Sequence, residues 1–244
     1  MTVQRLTQRL LKLFRPAPSS QEERWKSGIH EEVEFWDAYL ASRGAAWGGD
    51  FAERTDPAFP LQEYLAEVIS VPAGAPVRIL DVGAGPLTYV GKFSDRWPIS
   101  IVAVDPLAAE YDSLLARHAI VPPVRTVRGD AERLSELFPA NSFELVSARN
   151  CIDHSYNPLL AIRQMLAVVK PGCPVFMHHA MNEAVRQNWV GLHQWNFGDE
   201  GGHFILGSRD GRTDVSAALR DEATVTNKTY GDEWIVTTIA KRKG

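Results

Sequence analysis

The stretch Ile79-Leu80-Asp81-Val82-Gly83-Ala84-Gly85-Pro86 decides the fold. An apolar run carrying one acid passes directly into a turn with two glycines. That pattern marks a buried strand ending in a loop whose backbone comes close to a ligand, because glycine adopts dihedrals and approaches that a Cβ forbids. Outward from it the chain alternates. Short apolar runs rich in β-branched residues recur at 77–82, 99–104, 124–127, 143–147 and 174–178. Helical patterns separate them at 87–96, 107–118, 131–138 and 158–169. Such alternation predicts βαβ units, hence an α/β, Rossmann-like fold with a mostly parallel sheet and helices on both faces. Segments 223–230 and 233–240, joined by Gly231-Asp232, add a C-terminal antiparallel hairpin. Before that hairpin, 203–207 reads as a strand, Asp210-Gly211 as a turn and 214–220 as a short helix.

A sheet of this kind binds ligands at the carboxyl ends of its strands, where the strand order reverses. The helix at 87–96 is expected to point its N-terminus at that ligand. Asp105 closes the second strand about twenty residues after the glycines, where a carboxylate accepts the hydroxyl protons of a ribose. Asp130 follows the third strand and suits an adenine amino group, or equally a helix N-cap. Two features separate the possible adenosine ligands. Thr88 stands where a dinucleotide fingerprint wants a small residue, and Asp81 just before the glycines favours a cation and repels a pyrophosphate. S-adenosylmethionine (SAM), with its ammonium and sulfonium, fits better than NAD.

On these residues the chain resembles the class I SAM-dependent methyltransferases. "ILDVGAGP", "VAVDP", "RGDAERL", "FELVSARNCIDHSYNP" and "MLAVVKPGCPVFMHH" are similar to that family's motifs, in order and at family spacing. The resemblance implies SAM as cofactor, S-adenosylhomocysteine (SAH) as product, and a seven-stranded sheet whose last strand is antiparallel. By position it implies Gly83 and Gly85 around the methionine moiety, Asp105 at the ribose, Asp130 with Ala131 at the adenine and Asn150 near the methionine, with Asp81, Ala84, Pro86 and Pro106 also among the cofactor-binding residues. Leu87 replaces the third glycine found in many members.

Methyl transfer to a hydroxyl needs a general base. His154, with Asp153 beside it, follows the fourth strand next to the expected sulfonium and is the first candidate, and His179 at the end of the fifth strand is another. Strand alternation sends only one of His178 and His179 toward the cofactor side. The segment Gly191-Leu192-His193-Gln194-Trp195-Asn196-Phe197 combines an indole with hydrogen-bonding groups, which suits a sugar ring, and resembles a stretch in bacterial glycan-associated methyltransferases. His193, Trp195, Asn196 and Glu183 are therefore the substrate-binding candidates. Asp153, His154, His179 and Glu183 lack tight ligand spacing, so no metal is expected. The leading expectation is O-methylation of a saccharide or glycan intermediate. A small natural product or amine as acceptor, and a non-catalytic binding or regulatory protein of the same fold, stand as alternatives.

Composition narrows the partners. Twenty-six basic against thirty acidic residues leave a net charge of −4, which gives no argument for nucleic acid. Two cysteines make neither a disulfide framework nor a metal cluster and fit a reducing cytoplasm. No run is long and apolar enough for stable membrane insertion. Residues 1–14 read as a short amphipathic helix for docking on the domain or on a second copy, and 15–20 as a turn. Ser20 and Glu23 resemble a capping box opening a helix over 21–42, whose aromatics Trp25, Phe35, Trp36 and Tyr39 read as core. The expected organisation is a helical extension and lid over 1–72 and a SAM-binding domain over 73–244 with a substrate-side insert at 183–212, all in one compact unit.

Overall fold

The computed structural model describes the backbone of residues 21–243 and the side chains of residues 28–243. The expected helix at 1–14, the turn at 15–20, Ser20 of the capping box and the Trp25 side chain lie outside the described residues.

Three helices open the described chain: α1 (Gln21–Ala41), α2 (Asp50–Thr55) and α3 (Glu63–Ala66). Strands β1 (Val77–Val82) and β2 (Ile99–Asp105) follow, then helix α4 (Ala108–Arg117) and strand β3 (Thr126–Arg128). A 3-10 turn (Ala131–Arg133) leads into α5 (Leu134–Leu137), β4 (Leu145–Arg149), a second 3-10 turn (Ile152–His154), α6 (Pro158–Val168) and β5 (Pro174–Ala180). The chain continues with α7 (Glu183–Arg186), β6 (Asn196–Glu200), β7 (His203–Ser208), β8 (Gly211–Asp214), α8 (Val215–Ala218), β9 (Ala223–Tyr230) and β10 (Trp234–Lys241).

Seven strands form one sheet in the order β3-β2-β1-β4-β5-β10-β9, and β10 runs antiparallel to β5. The expected fold class holds, hairpin included. Both faces are packed, which is why β1 reads as a nearly continuous apolar run. On one face Leu80, Val82, Val146 and Met177 pack under α6 through Ile162 and Met165. On the other, Ile79, Leu145 and Phe176 meet Leu65 of α3 together with Tyr89, Val90 and Trp97. Tyr39 and Leu40 of α1 pack with Tyr111, Leu114 and Leu115 of α4. The strand order reverses at β1 and β4, so their carboxyl ends open a crevice.

The expected helix at 87–96 does not form. Val90 donates its amide to the Thr88 hydroxyl, and the amides of Lys92 and Phe93 go to the Phe59 carbonyl. Gly91 lies so close to Pro60 that an added Cβ would sit 2.0 Å from its carbonyl oxygen. Apart from the Val90 amide, this segment bonds to residues 59–62 instead of closing helical bonds on its own preceding turn. The idea of a helix N-terminus aimed at the ligand is thereby withdrawn.

The insert carries strands of its own. Strands β6, β7 and β8 form a small separate antiparallel sheet, turning at Gly201-Gly202, both at positive φ. Phe197 and Phe204 anchor it in the main core.

Candidate active site

The carboxyl ends of β1, β2 and β4 line a cleft. Gly83, Ala84, Gly85, Asp105, Pro106, Asp130, Ala131 and Asn150 all lie on it. Gly83 and Gly85 take φ of 67° and 63°, and the amides of Gly83 and Ala84 donate to the Val104 carbonyl. A Cβ on Gly83 would stand 2.5 Å from the Cys151 Cβ, and one on Gly85 would stand 2.5 Å from the Trp36 ring. Both glycines are fixed by dihedral and by space.

Asp105 is buried, its Oδ2 accepting from the Gly85 amide at 3.1 Å and its Oδ1 from the Leu107 amide at 2.9 Å. Burial pushes its pKa up to about 7, with the two amides pulling the other way. Each oxygen has a second lone pair for a diol, so the residue fits a ribose. Asp130 makes no capping hydrogen bond at its 3-10 turn, so the N-cap alternative is not realised. Asn150 sits at φ 49°, and its Oδ1 accepts from the Ala180 amide, which ties the end of β4 to β5.

Two expected cofactor contacts lie behind the cleft. Pro86 is buried off its lining. Asp81 is 1% exposed and also off it; its Oδ2 accepts from the Thr88 hydroxyl at 2.5 Å, and its Oδ1 has no partner among the described residues. Burial raises the Asp81 pKa to about 7. Asp81 therefore braces the glycine loop through Thr88, and the argument that it selects a cation by contact is corrected.

A second cleft adjoins the first, sharing Glu32, Trp36, Arg54, Arg149, Asn150, His154 and Leu192 with it. At the junction stands a compact cluster. Asp153 Oδ2 is 3.1 Å from His193 Nδ1 and 3.3 Å from His154 Nε2, and the two ring nitrogens are 3.2 Å apart. Glu32 Oε2 lies 3.7 Å from His154 Nδ1. Burial works to raise the Asp153 pKa, but the neighbouring histidines outweigh it and hold the carboxyl at about 2. Burial works to lower the His193 pKa, but its hydrogen bond to Asp153 leaves it raised. Glu183 also lines the second cleft.

Three other candidates do not reach either cleft. His179 is 1% exposed, packs edge-on to Phe197, accepts the Ile152 amide on Nε2, and is held neutral by burial at a pKa of about 3. A ring with its acceptor nitrogen so committed is no base; it fixes the turn that carries Asp153 and His154. Trp195 donates its indole N–H to the Ser155 carbonyl at 3.0 Å and packs on the core. Asn196 accepts the Val185 amide. His178 faces the opposite side from His179, against Trp234, as alternation requires.

Sequence reading missed the contribution of the N-terminal helices. Trp36 and Glu32 of α1 and Arg54 of α2 line both clefts. The Arg54 guanidinium donates to the Leu87 carbonyl and pairs with Asp50. Their signal was weak, since Trp36 reads as one more core aromatic. Gly28 and Gly191 carry the close contact of α1 with the insert: a Cβ on either would fall 2.7 Å from Leu192 or Glu31.

Residues 80–177 match the methyltransferase domain family. No curated protein matches the chain. Among solved structures, a chain of the complex between the Haloferax volcanii Trm112 methyltransferase activator and the putative methyltransferase shares 14% identity, with 85% of this chain and 98% of that one covered at a TM-score of 0.54. An O-methyltransferase family protein from Burkholderia thailandensis shares 14% identity over 97% of this chain and 68% of its own, at 0.54. The 1,6-didemethyltoxoflavin-N1-methyltransferase of the same organism, with 1,6-didemethyltoxoflavin and S-adenosylhomocysteine bound, shares 16% identity over 94% and 93%, at 0.50. At such identities the likeness is one of fold, and it agrees with the strand order. Residues 80–177, with their glycine loop and buried Asp105, are thus similar to a methyltransferase domain.

Proposed function

We propose that this chain methylates a hydroxyl of a small polar acceptor, best a saccharide or glycan intermediate. The observation that carries this reading is the Asp153–His154–His193 cluster at the junction of the two clefts. SAM supplies an activated methyl group on a sulfonium. Gly83 to Gly85 lie along its methionine part, Asp105 takes the ribose, and Asp130 with Ala131 takes the adenine. Arg54, beside Leu87, offers its charge to the methionine carboxylate. The α1 and α2 helices form the lid that holds water back.

On the acceptor side His154 receives the hydroxyl proton, and ionised Asp153 stabilises the imidazolium that results. The saccharide assignment rests on the second cleft. Exposed Phe35 and Trp47 offer ring faces there, beside Asp50, Arg149, Glu183 and Gln187 for hydroxyls. A nitrogen acceptor on a flat heterocycle is the second reading, favoured by the edge-and-face contacts of Phe35, Trp36, Tyr39 and Trp47.

The test is SAH release from the full chain with SAM and matched panels of sugar nucleotides, oligosaccharides and heteroaromatic amines. Turnover confined to hydroxyl-bearing sugars is expected. Turnover only on amines transfers the site to the second reading. Asp105→Asn should weaken SAH binding by roughly 10- to 100-fold, as expected for lost charge-assisted hydrogen bonds.

A further inference from the structure

We propose that Asp153, His154 and His193 are ligands of a divalent transition-metal ion of the zinc class. Their donor atoms form a nearly equilateral triangle with sides of 3.1, 3.2 and 3.3 Å. An ion bound at roughly 2.0–2.2 Å holds neighbouring donors roughly 3.0–3.5 Å apart at octahedral to tetrahedral angles. The triangle has that size.

Hydrogen bonding does not account for it. If both ring nitrogens carry protons, both donate to Asp153 Oδ2 but face each other N–H to N–H. If only one does, an edge of the triangle has no proton to serve it. Every tautomer leaves one short contact unsupported, and an ion accepting all three lone pairs supports them together. Asp153 Oδ1 is buried without a hydrogen-bond partner among the described residues, so the carboxylate has unspent capacity at a position where that is costly. Glu32 places a carboxylate 3.7 Å from the other His154 ring nitrogen, on the side where ligating histidines usually have one, though beyond hydrogen-bond distance. Its own place is fixed, since its Oε1 accepts the Trp36 indole N–H at 2.8 Å. Two imidazoles and one carboxylate favour zinc, cobalt, nickel or iron over calcium and magnesium.

The site explains why His193, far along the chain in the insert, meets the turn after β4. Its role, though not its existence, rests on the hydroxyl-methylation reading. The ion would lower the pKa of a bound acceptor hydroxyl so that its proton is lost to bulk water before methyl transfer, and His154 would then be a ligand and not the base.

The experiment uses the full chain, stripped with a chelator and without SAM. It is titrated with Co²⁺ alone, read by its ligand-field absorption, and with Zn²⁺ alone, read by calorimetry. One equivalent is expected to bind, with affinity falling on the order of 100-fold or more in His193→Gln and in His154→Gln, and roughly 10-fold in Glu32→Gln. Circular-dichroism melts confirm that each variant folds; two separate histidine variants keep the test decisive if one does not. No saturable binding, or binding unchanged by both histidine variants, overturns the site. Stoichiometric binding with methylation indifferent to chelation overturns its catalytic role. Metal binding without turnover on any hydroxyl counts against the proposed function and leaves the site standing.

Discussion

The two ends of the site are built on different plans. The proposed cofactor end consists of strand ends and the turns directly after them: Gly83–Gly85 after β1, Asp105 at the end of β2, Asp130 after β3 and Asn150 after β4. The acceptor end is assembled from α1, the turn at Ile152–His154 and the insert around His193, parts far apart in sequence. A strand and its turn announce themselves through local period and glycine placement. Nothing local says that Glu32, His154 and His193 will meet.

The sharpest way to break this contrast is at Gly83. Its positive φ and the Cys151 Cβ, 2.5 Å from any added carbon, leave the loop no room to adjust, and Cys151 is itself held by its thiol on the Val82 carbonyl. Gly83→Ala should weaken SAH binding by about 100-fold or more, equivalent to about 2.7 kcal/mol. Gly198→Ala, with nothing within 4 Å of the new carbon, should leave it unchanged. Calorimetric titration of both variants checks this. Wild-type affinity in Gly83→Ala would mean that the cofactor sits elsewhere.

Even at the legible end the reading failed where long-range hydrogen bonds replaced local ones. Residues 87–96 carry a helical pattern, yet their amides go to residue 59 and to Thr88. In the sequence Thr88 stands out only as the break in a dinucleotide fingerprint, and Asp81 only as a charge beside the glycines. Instead they bind each other behind the loop. This has a consequence with a definite sign. In the unfolded chain Asp81 loses its proton near 3.8; in the fold it keeps it up to about 7. Its contribution therefore favours the native state in acid and is lost as pH rises through 7. Asp81→Asn imitates the protonated form. Its melting temperature relative to wild type should climb from about pH 4 to about pH 7 and level off above. The subtraction matters because His179, shifted downward from 6.5 to about 3, drives stability the opposite way across much of the same range. A flat difference would place the Asp81 carboxylate in a charged contact after all.

At the acceptor end, Asp153 and His154 were legible because they follow a strand that was itself legible. His193 was legible only as part of a polar and aromatic segment, and its companions were misassigned. Residues 196–200 form a strand, which commits Asn196 to capping and Phe197 to the core. Trp195, at the edge of that strand, is drawn inward with them, and its one polar atom bonds the Ser155 carbonyl. The smallest expected effect follows from this placement. Trp195→Phe keeps the ring packing and loses one hydrogen bond, worth about 1 kcal/mol. That corresponds to roughly 2–4 °C in melting temperature for a chain of this size. With the indole facing the core, kcat/KM for the acceptor should stay within about 3-fold of wild type, a spread of about 0.7 kcal/mol. Paired melting and initial-rate measurements decide it. A tenfold loss of turnover at unchanged stability would return the indole to the acceptor and make the insert a recognition surface in its own right. The expected result leaves recognition to Phe35, Trp47 and the polar groups under the lid.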